Sequence, residues 1–274
     1  MEKIGSVEQT LKIINENDFY IKKKFGQNFI IDQNVLNAIV DASLIDKDTC
    51  VVEIGPGLGS LTEILIKRAK KVMSFEIDKD LIPILNHNLG QYDNFILVNE
   101  DILNIDINAY LDKYFSDSKK IALVANLPYY ITTQIIEKVL TESKVIDEIV
   151  VMVQKEVALK YTSDYKSPLM YMIEDMGKIE YMFTVSQNVF IPAPHIDSAI
   201  LKITINKEAN LDLYKVLNSA FKQRRKTIYN NLKQEYQNAL DVLNENQIDQ
   251  KLRCEQLTLE DYQVITKSLY KHTI

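Results

Sequence analysis

Two short segments carry residue types that could do chemistry. In the first, Glu53-Ile-Gly-Pro-Gly-Leu-Gly59 leads from an apolar run into a helical pattern. Gly55 and Gly57 there leave bare backbone that a ligand can approach with no Cβ in the way. Glu76 ends the next apolar run, about 20 residues after the first glycine, where a carboxylate accepts hydrogen bonds from a ribose diol. Asp101 ends the third, in Val98-Asn-Glu-Asp101. A dinucleotide pyrophosphate calls for GxGxxG, whereas the spacing here is GxGxG and lacks that third glycine. S-adenosylmethionine has no phosphate, but its ribose and adenine suit two carboxylates so placed. A turn whose glycines serve only local packing is the competing explanation for this segment taken alone.

The second segment, Asn126-Leu127-Pro128-Tyr129, closes the run Ile121–Ala125. Its chemistry is that of methyl transfer to the N6 amine of adenine. That amine is a poor nucleophile because its lone pair is delocalised into the ring. The Asn126 side-chain oxygen and the Leu127 carbonyl can each accept one of its N–H groups and localise the lone pair toward a methyl donor. Pro128 fixes φ and holds the loop. Tyr129 offers a π-face for a base taken out of its stack. Direct in-line transfer needs no covalent enzyme intermediate and no strong base, so positioning and hydrogen bonding carry the rate.

These residues need a sheet edge to hold them. Apolar runs at 50–54, 72–77, 95–98, 121–125 and 148–153 alternate with helical patterns near 34–44, 61–69, 81–89 and 133–140. That alternation predicts an α/β fold with a doubly wound, mostly parallel sheet, whose ligands bind beyond the carboxyl ends of the strands. The boundary is expected after a strand at 198–205, giving a catalytic domain over residues 1–205 and a helical domain over 206–274. In the second part Leu213, Val216, Leu217, Ala220 and Phe221 fall on one helix face. Thr258-Leu-Glu-Asp261 has capping-box form and opens a last helix.

Composition limits the rest. Cys50 and Cys254 are isolated, and His87, His195 and His272 are scattered, so no metal is expected and the thiols suit a reducing compartment. No run has the length of a membrane span, and a cytoplasmic protein without a membrane partner is expected. A net charge of −6 argues at first against nucleic acid. Residues 219–233, however, hold five positive charges and no negative ones, which leaves −11 on the rest of the chain. A further basic run is Lys22-Lys23-Lys24, whereas Lys67–Lys71 sits at a helix C-terminus, where cations favour the dipole.

Taken in order, the motifs Lys24–Ile30, Glu53–Gly59, Phe75–Asp78, Glu100–Ile102, Asn126–Tyr129, Val153–Val157, Phe190–Ala199, Phe221–Lys226 and Asn230–Leu232 identify a resemblance. The chain resembles the KsgA-type small-subunit ribosomal RNA adenine dimethyltransferase family, of the class I S-adenosylmethionine-dependent methyltransferase fold. The resemblance implies that Asn28 and Ile30 contact the methionine end of the cofactor and that Gly55 lies against it. It also implies that Glu76 holds the ribose, Asp101 the adenine amine, and that Asn126 stands between cofactor and target. Phe190 would stack on the target base opposite Tyr129. Lys22, Lys23, Lys24, Lys222, Arg224, Arg225 and Lys226 would meet RNA phosphate.

The implied reaction places two methyl groups on each of two adjacent adenosines in the 3′-terminal hairpin of small-subunit rRNA, in a late assembly intermediate, by a monomeric enzyme. One departure is that this chain reads Tyr165-Lys-Ser-Pro-Leu-Met170 where members commonly carry Tyr-Gly-x-Leu-Ser. Erm-type dimethyltransferases of large-subunit rRNA share the Asn-x-Pro-Tyr core, and the catalytic motifs do not separate the two. Ile196–Ala199 and the Arg224-Arg225-Lys226 block favour the small-subunit type. A mainly non-catalytic ribosome assembly factor is the alternative from another class.

Overall fold

The structure, a computed structural model, describes residues 3–271. Its nine strands are β1 Phe29–Ile30, β2 Thr49–Ile54, β3 Lys71–Phe75, β4 Phe95–Val98, β5 Lys120–Asn126, β6 Glu148–Gln154, β7 Gly177–Val185, β8 Phe190–Ile191 and β9 Ser198–Ile205. Seven form one sheet in the order β4-β3-β2-β5-β6-β9-β7. The pairs from β4 to β6 are parallel, and β9 runs antiparallel to β6. Every residue of β2 is buried, as expected of a parallel strand covered on both faces. The chain leaves β2 toward β3 on one side, while β5 flanks β2 on the other, so the strand order reverses between β2 and β5. Such a reversal opens a crevice at the carboxyl edge.

Sequence periodicity locates β2 to β6 and β9, with the helices it named, to within a few residues. Helix Gln33–Ala42 buries Leu36, Ile39 and Val40, and Asp32 caps it by accepting from the Asn34 and Val35 amides at 2.8 and 3.2 Å. Several elements are additional to the sequence reading, among them helix Val7–Glu16, capped by Ser6, helices Ile107–Phe115, Lys155–Tyr161 and Pro168–Met176, and strands β1, β7 and β8, of which β7 pairs at the sheet edge.

The chain divides into two compact units. The first runs up to Thr162 and takes in Ile179–Ile205; the second joins Ser163–Lys178 to the chain from Asn206 onward. The first unit's core packs both faces of the sheet: Val51, Val72, Ala122, Val124 and Val150 are fully buried on one, and Val52, Met73, Leu123 and Val151 on the other.

The second unit is helical and includes helices Pro168–Met176, Leu211–Phe221 and Leu259–Tyr270. Ser163–Lys178 falls in the 1–205 span expected of the catalytic domain, yet it packs with the helical unit. The reason is Tyr171, 1% exposed, which packs edge-on against Phe221 and Tyr262 and donates its hydroxyl to the Leu257 carbonyl. Both reciprocal bonds of the Thr258–Asp261 capping box form, at 2.8 and 3.2 Å.

Candidate active site

The glycine turn leaves β2 at the sheet edge and floors a cavity of about 250 Å³. Asn28, Ile30, Gly55, Gly57, Glu76, Asp101, Asn126 and Pro128 all line it. Gly57 has φ +60, and a Cβ there would stand 3.1 Å from the Phe29 ring. Glycine is therefore required twice over, for the left-handed backbone and for the close approach. The Gly57 amide points at the Glu76 carboxylate, 3.3 Å from Oε2.

Three carboxylates serve this edge in different ways. Glu53 is 1% exposed and accepts from Thr62 Oγ1 and Ser74 Oγ at 2.7 and 2.6 Å. Burial pushes its pKa up to about 7, against the opposing effect of those two hydroxyls. Glu76 is also pushed up to about 7 by burial, although the Asp78 and Gly57 amides donate to it. Asp101 is less enclosed; its oxygens accept from the Leu103 amide and the Asn104 side chain at 3.0 and 2.9 Å. Glu76 and Asp101 face the cavity together with the apolar side chains Ile77 and Ile102.

A strap of chain, Lys22–Ile30, forms the opposite wall. Its N-terminal end is fastened by Asp78, whose side chain is 2% exposed and takes Lys22 Nζ at 2.5 Å and Gln27 Nε2 at 2.8 Å. Lys22 also reaches Asp80 at 2.5 Å. Burial alone would raise the Asp78 pKa, but the bonds from Lys22 and Gln27 outweigh it and hold the carboxyl below its ordinary value. The Asp78 amide in turn donates to Glu76 Oε1 at 2.8 Å, so fastening and carboxylate orientation form one network.

Asn126, the last residue of β5, donates its side-chain amide to the Asn28 carbonyl at 3.1 Å. This bond fixes which end of the amide is nitrogen and leaves Oδ1 as an acceptor with no partner among the described residues. Leu127, Tyr129 and Phe190 do not line the cavity. Leu127 is buried. Phe190 is 3% exposed, in β8, paired with Ile30 of the strap.

Tyr129 turns its hydroxyl to Ser198 Oγ at 2.6 Å and borders a second cavity with Thr133, Val153, Gln154 and Tyr161. Burial pushes its phenol pKa up. Of the cavity residues, Phe25, Ile77 and Ile102 lie inside the motifs with no role assigned to them, and Leu103, Tyr130 and Ile131, immediately beyond the motifs, were missed. Their signal was adjacency to the motifs, with apolar or aromatic side chains at positions that continue the same edge.

The expected RNA-contacting cations divide. Lys22 is committed to Asp78 and Asp80; the side chain of Lys23 lies outside the described residues, as does His272; Lys24 is exposed. In the second unit Lys222 meets Glu235 at 3.3 Å. Arg224 donates to Glu255, to the Tyr165 hydroxyl at 2.8 Å and to the Lys166 carbonyl at 2.9 Å. Arg225 and Lys226 are exposed and have no ion pair among the described residues. Among the described residues no group of three or more His, Cys, Asp or Glu is placed to hold a metal ion, and no helix is long and apolar enough to cross a membrane.

Comparison with known proteins places this geometry. The ribosomal RNA adenine dimethylase family matches residues 18–271. A ribosomal RNA small subunit methyltransferase A from Bacillus licheniformis is 40% identical over 283 residues, covering 97% of each chain. The protein of that name from Staphylococcus haemolyticus is 41% identical over 277 residues, covering 94% of this chain and 93% of its own. Among solved structures, a dimethyladenosine transferase from Plasmodium falciparum superposes with a TM-score of 0.73 at 24% identity, over 89% of this chain and 98% of that one. The 23S rRNA methyltransferase ErmE gives 0.64 at 25% identity, over 89% and 100%. The sheet order and these neighbours are those of the class I methyltransferase fold.

Proposed function

Because the chain belongs to the ribosomal RNA adenine dimethylase family, we propose that it transfers methyl groups from S-adenosylmethionine to N6 of two adjacent adenosines near the 3′ end of small-subunit rRNA. Its substrate in this reading is a late pre-ribosomal small subunit in the cytoplasm, and it acts as a monomer. The observation that carries the reading is the Asn126 amide: its nitrogen is tied to the Asn28 carbonyl and its oxygen is left as an acceptor at the cavity wall.

The cavity fits the cofactor by the chemistry of its donors and acceptors. Glu76 is the acceptor for the two ribose hydroxyls and Asp101 for the adenine amine. Ile77 and Ile102 supply apolar surface for the base, and Asn28 with Ile30 faces the amino-acid end. S-adenosylmethionine, when bound there, supplies an activated methyl group.

The chain's own residues hold the target. Asn126 Oδ1 and the Leu127 carbonyl accept the amine hydrogens and draw its lone pair out of the ring. Pro128 keeps those two acceptors in register: the Ile131 amide and Thr132 hydroxyl close a turn on its carbonyl at 3.2 and 3.0 Å. A monomethylated amine retains one N–H, so the same acceptors serve the second transfer.

In the test, labelled cofactor is incubated separately with unmethylated small and large ribosomal subunits, and the modified bases are mapped. Label on small-subunit adenosines is expected; label confined to large subunits would replace this reading with the Erm-type one. Asn126→Ala is expected to lower turnover by at least about 100-fold with subunit binding retained. Normal turnover by that variant would remove Asn126 from the mechanism.

A further inference from the structure

The two tyrosines that follow Pro128 are used differently. Tyr129 turns to Ser198, whereas Tyr130 is 63% exposed, lines the first cavity and makes no hydrogen bond through its hydroxyl among the described residues. Phe25 lines the same cavity from the strap side, and Lys24 Nζ stands 4.6 Å over the Phe25 ring. Gly26 lies between these two walls at φ +61. A Cβ there would stand 3.3 Å from Pro128 Cβ and 3.7 Å from the Tyr130 ring. The cavity mouth is therefore rimmed by two aromatic rings and one exposed cation, with Gly26 between them leaving room beside Pro128 and the Tyr130 ring.

A single exposed aromatic ring is ordinary. A ring held at the mouth of a cavity that takes one base, beside a second ring and an ammonium group, has the composition of a stacking platform for nucleic acid. Under the function proposed above, the base being methylated is drawn out of its stack. Its neighbour on the strand then loses a stacking partner at the mouth. We propose that Tyr130 is a binding residue for that neighbouring nucleotide. Its ring takes the adjacent base, and Lys24 beside Phe25 faces the intervening phosphate. Because the two target adenosines adjoin, the platform holds one while the other is in the cavity. This inference rests on the methyl-transfer reading.

The test compares the full-length protein with Tyr130→Ala and Tyr130→Phe, on small subunits lacking the methyl groups. Subunit binding by sedimentation and cofactor binding by calorimetry are measured in parallel. Tyr130→Ala is expected to raise the KM for the subunit and weaken subunit binding about tenfold, while kcat and cofactor affinity stay within about twofold. Tyr130→Phe, which keeps the ring, should match the wild type.

Subunits reconstituted with an abasic nucleotide beside the target should cost the wild type the same factor and cost Tyr130→Ala nothing more. Equal subunit binding by the wild type and Tyr130→Ala would overturn the proposal, as would additive losses in the abasic comparison. A cofactor affinity that falls with the subunit affinity would also overturn it, since the ring would then belong to the cofactor. Absence of label from the wild type would instead overturn the methyl-transfer reading, with the binding comparison still deciding the platform.

Discussion

The basic runs at Lys22–Lys24 and Lys222–Lys226 look alike as sequence and are used differently in the structure. In each, part of the charge is paired internally, Lys22 in the first and Lys222 with Arg224 in the second, and part is exposed among the described side chains. Lys22 closes on Asp78, which reaches Glu76 through its own amide, so that charge serves the cavity wall. Arg224 closes on Glu255, Tyr165 and Lys166, so that charge fastens Ser163–Lys178 to the rest of the helical unit. Lys24 in one run, and Arg225 and Lys226 in the other, remain exposed. A basic run is thus a mixture of internally paired and exposed charge, and the partners, which lie far away in sequence, decide the proportion. The run at Lys67–Lys71 goes fully to structure: Lys67 pairs with Glu63, Arg68 with Asp41 and Lys70 with Asp117, and Lys71 donates to the Tyr114 carbonyl.

Substitutions that separate the inner from the outer cations test this contrast. Arg224→Met should have the largest effect. It leaves a carboxylate, a phenol and a carbonyl without their donor, and should cost about 2 kcal/mol of stability in denaturant unfolding. Cofactor affinity should not change; a stable variant with weakened RNA binding would return Arg224 to the phosphate-contacting group. Lys22→Met should weaken cofactor binding about tenfold by calorimetry and leave subunit binding nearly intact, because it leaves the buried Asp78 without its cation. The opposite pattern would make Lys22 an RNA contact.

The carboxylate behind that fastening gives a pH dependence with a definite sign. In the proposed function Glu76, pushed up to about 7, must be ionised to accept both ribose hydroxyls. Cofactor affinity should therefore fall by up to about tenfold per pH unit below 7 and be flat above it. Glu76→Gln should bind weakly and show no such slope.

For the free protein the sign is opposite. Glu53 and Glu76 are raised above their ordinary value of 4.5. Their contribution to stability is complete below that value and is lost as pH rises through 7. Urea midpoints at pH 5 and pH 8 measure it. The smallest effect is that of the outer cations. Arg225→Gln with Lys226→Gln should lower the salt dependence of subunit binding by about 1.5 in log–log slope, with stability changed by less than about 0.5 kcal/mol.

Much of the sheet was legible because a parallel strand buried on both faces is a continuous apolar run, and β2, β5 and β6 are such runs. The edge strand β7 was missed although Ile179, Tyr181, Phe183 and Val185 alternate with Lys178, Glu180, Met182 and Thr184. A half-exposed strand writes a weaker signal than a central one, and here it follows directly on a helix. The motifs named the cavity residues Asn28, Gly55, Glu76, Asp101 and Asn126, because each ends a strand or lies in a turn of fixed geometry. They did not give the turn of Tyr129 toward Ser198, which lies 69 residues away. Nor did they give the membership of Ser163–Lys178, which depends on where Tyr171 finds its partners. Long-range pairing of that kind has no local pattern.

The bond from the Asn126 amide to the Asn28 carbonyl has a thermodynamic consequence. In the proposed function Asn28 belongs to the strap that walls the cofactor, and Asn126 presents the acceptor for the target amine. Ordering the strap around one ligand therefore orients the acceptor for the other. Linkage makes this reciprocal: whatever factor the cofactor adds to RNA affinity, RNA must add to cofactor affinity. In that reading a spent cofactor that leaves the strap loosens the hold on a half-modified adenosine, so a single hydrogen bond bears on how many methyl groups are placed per encounter.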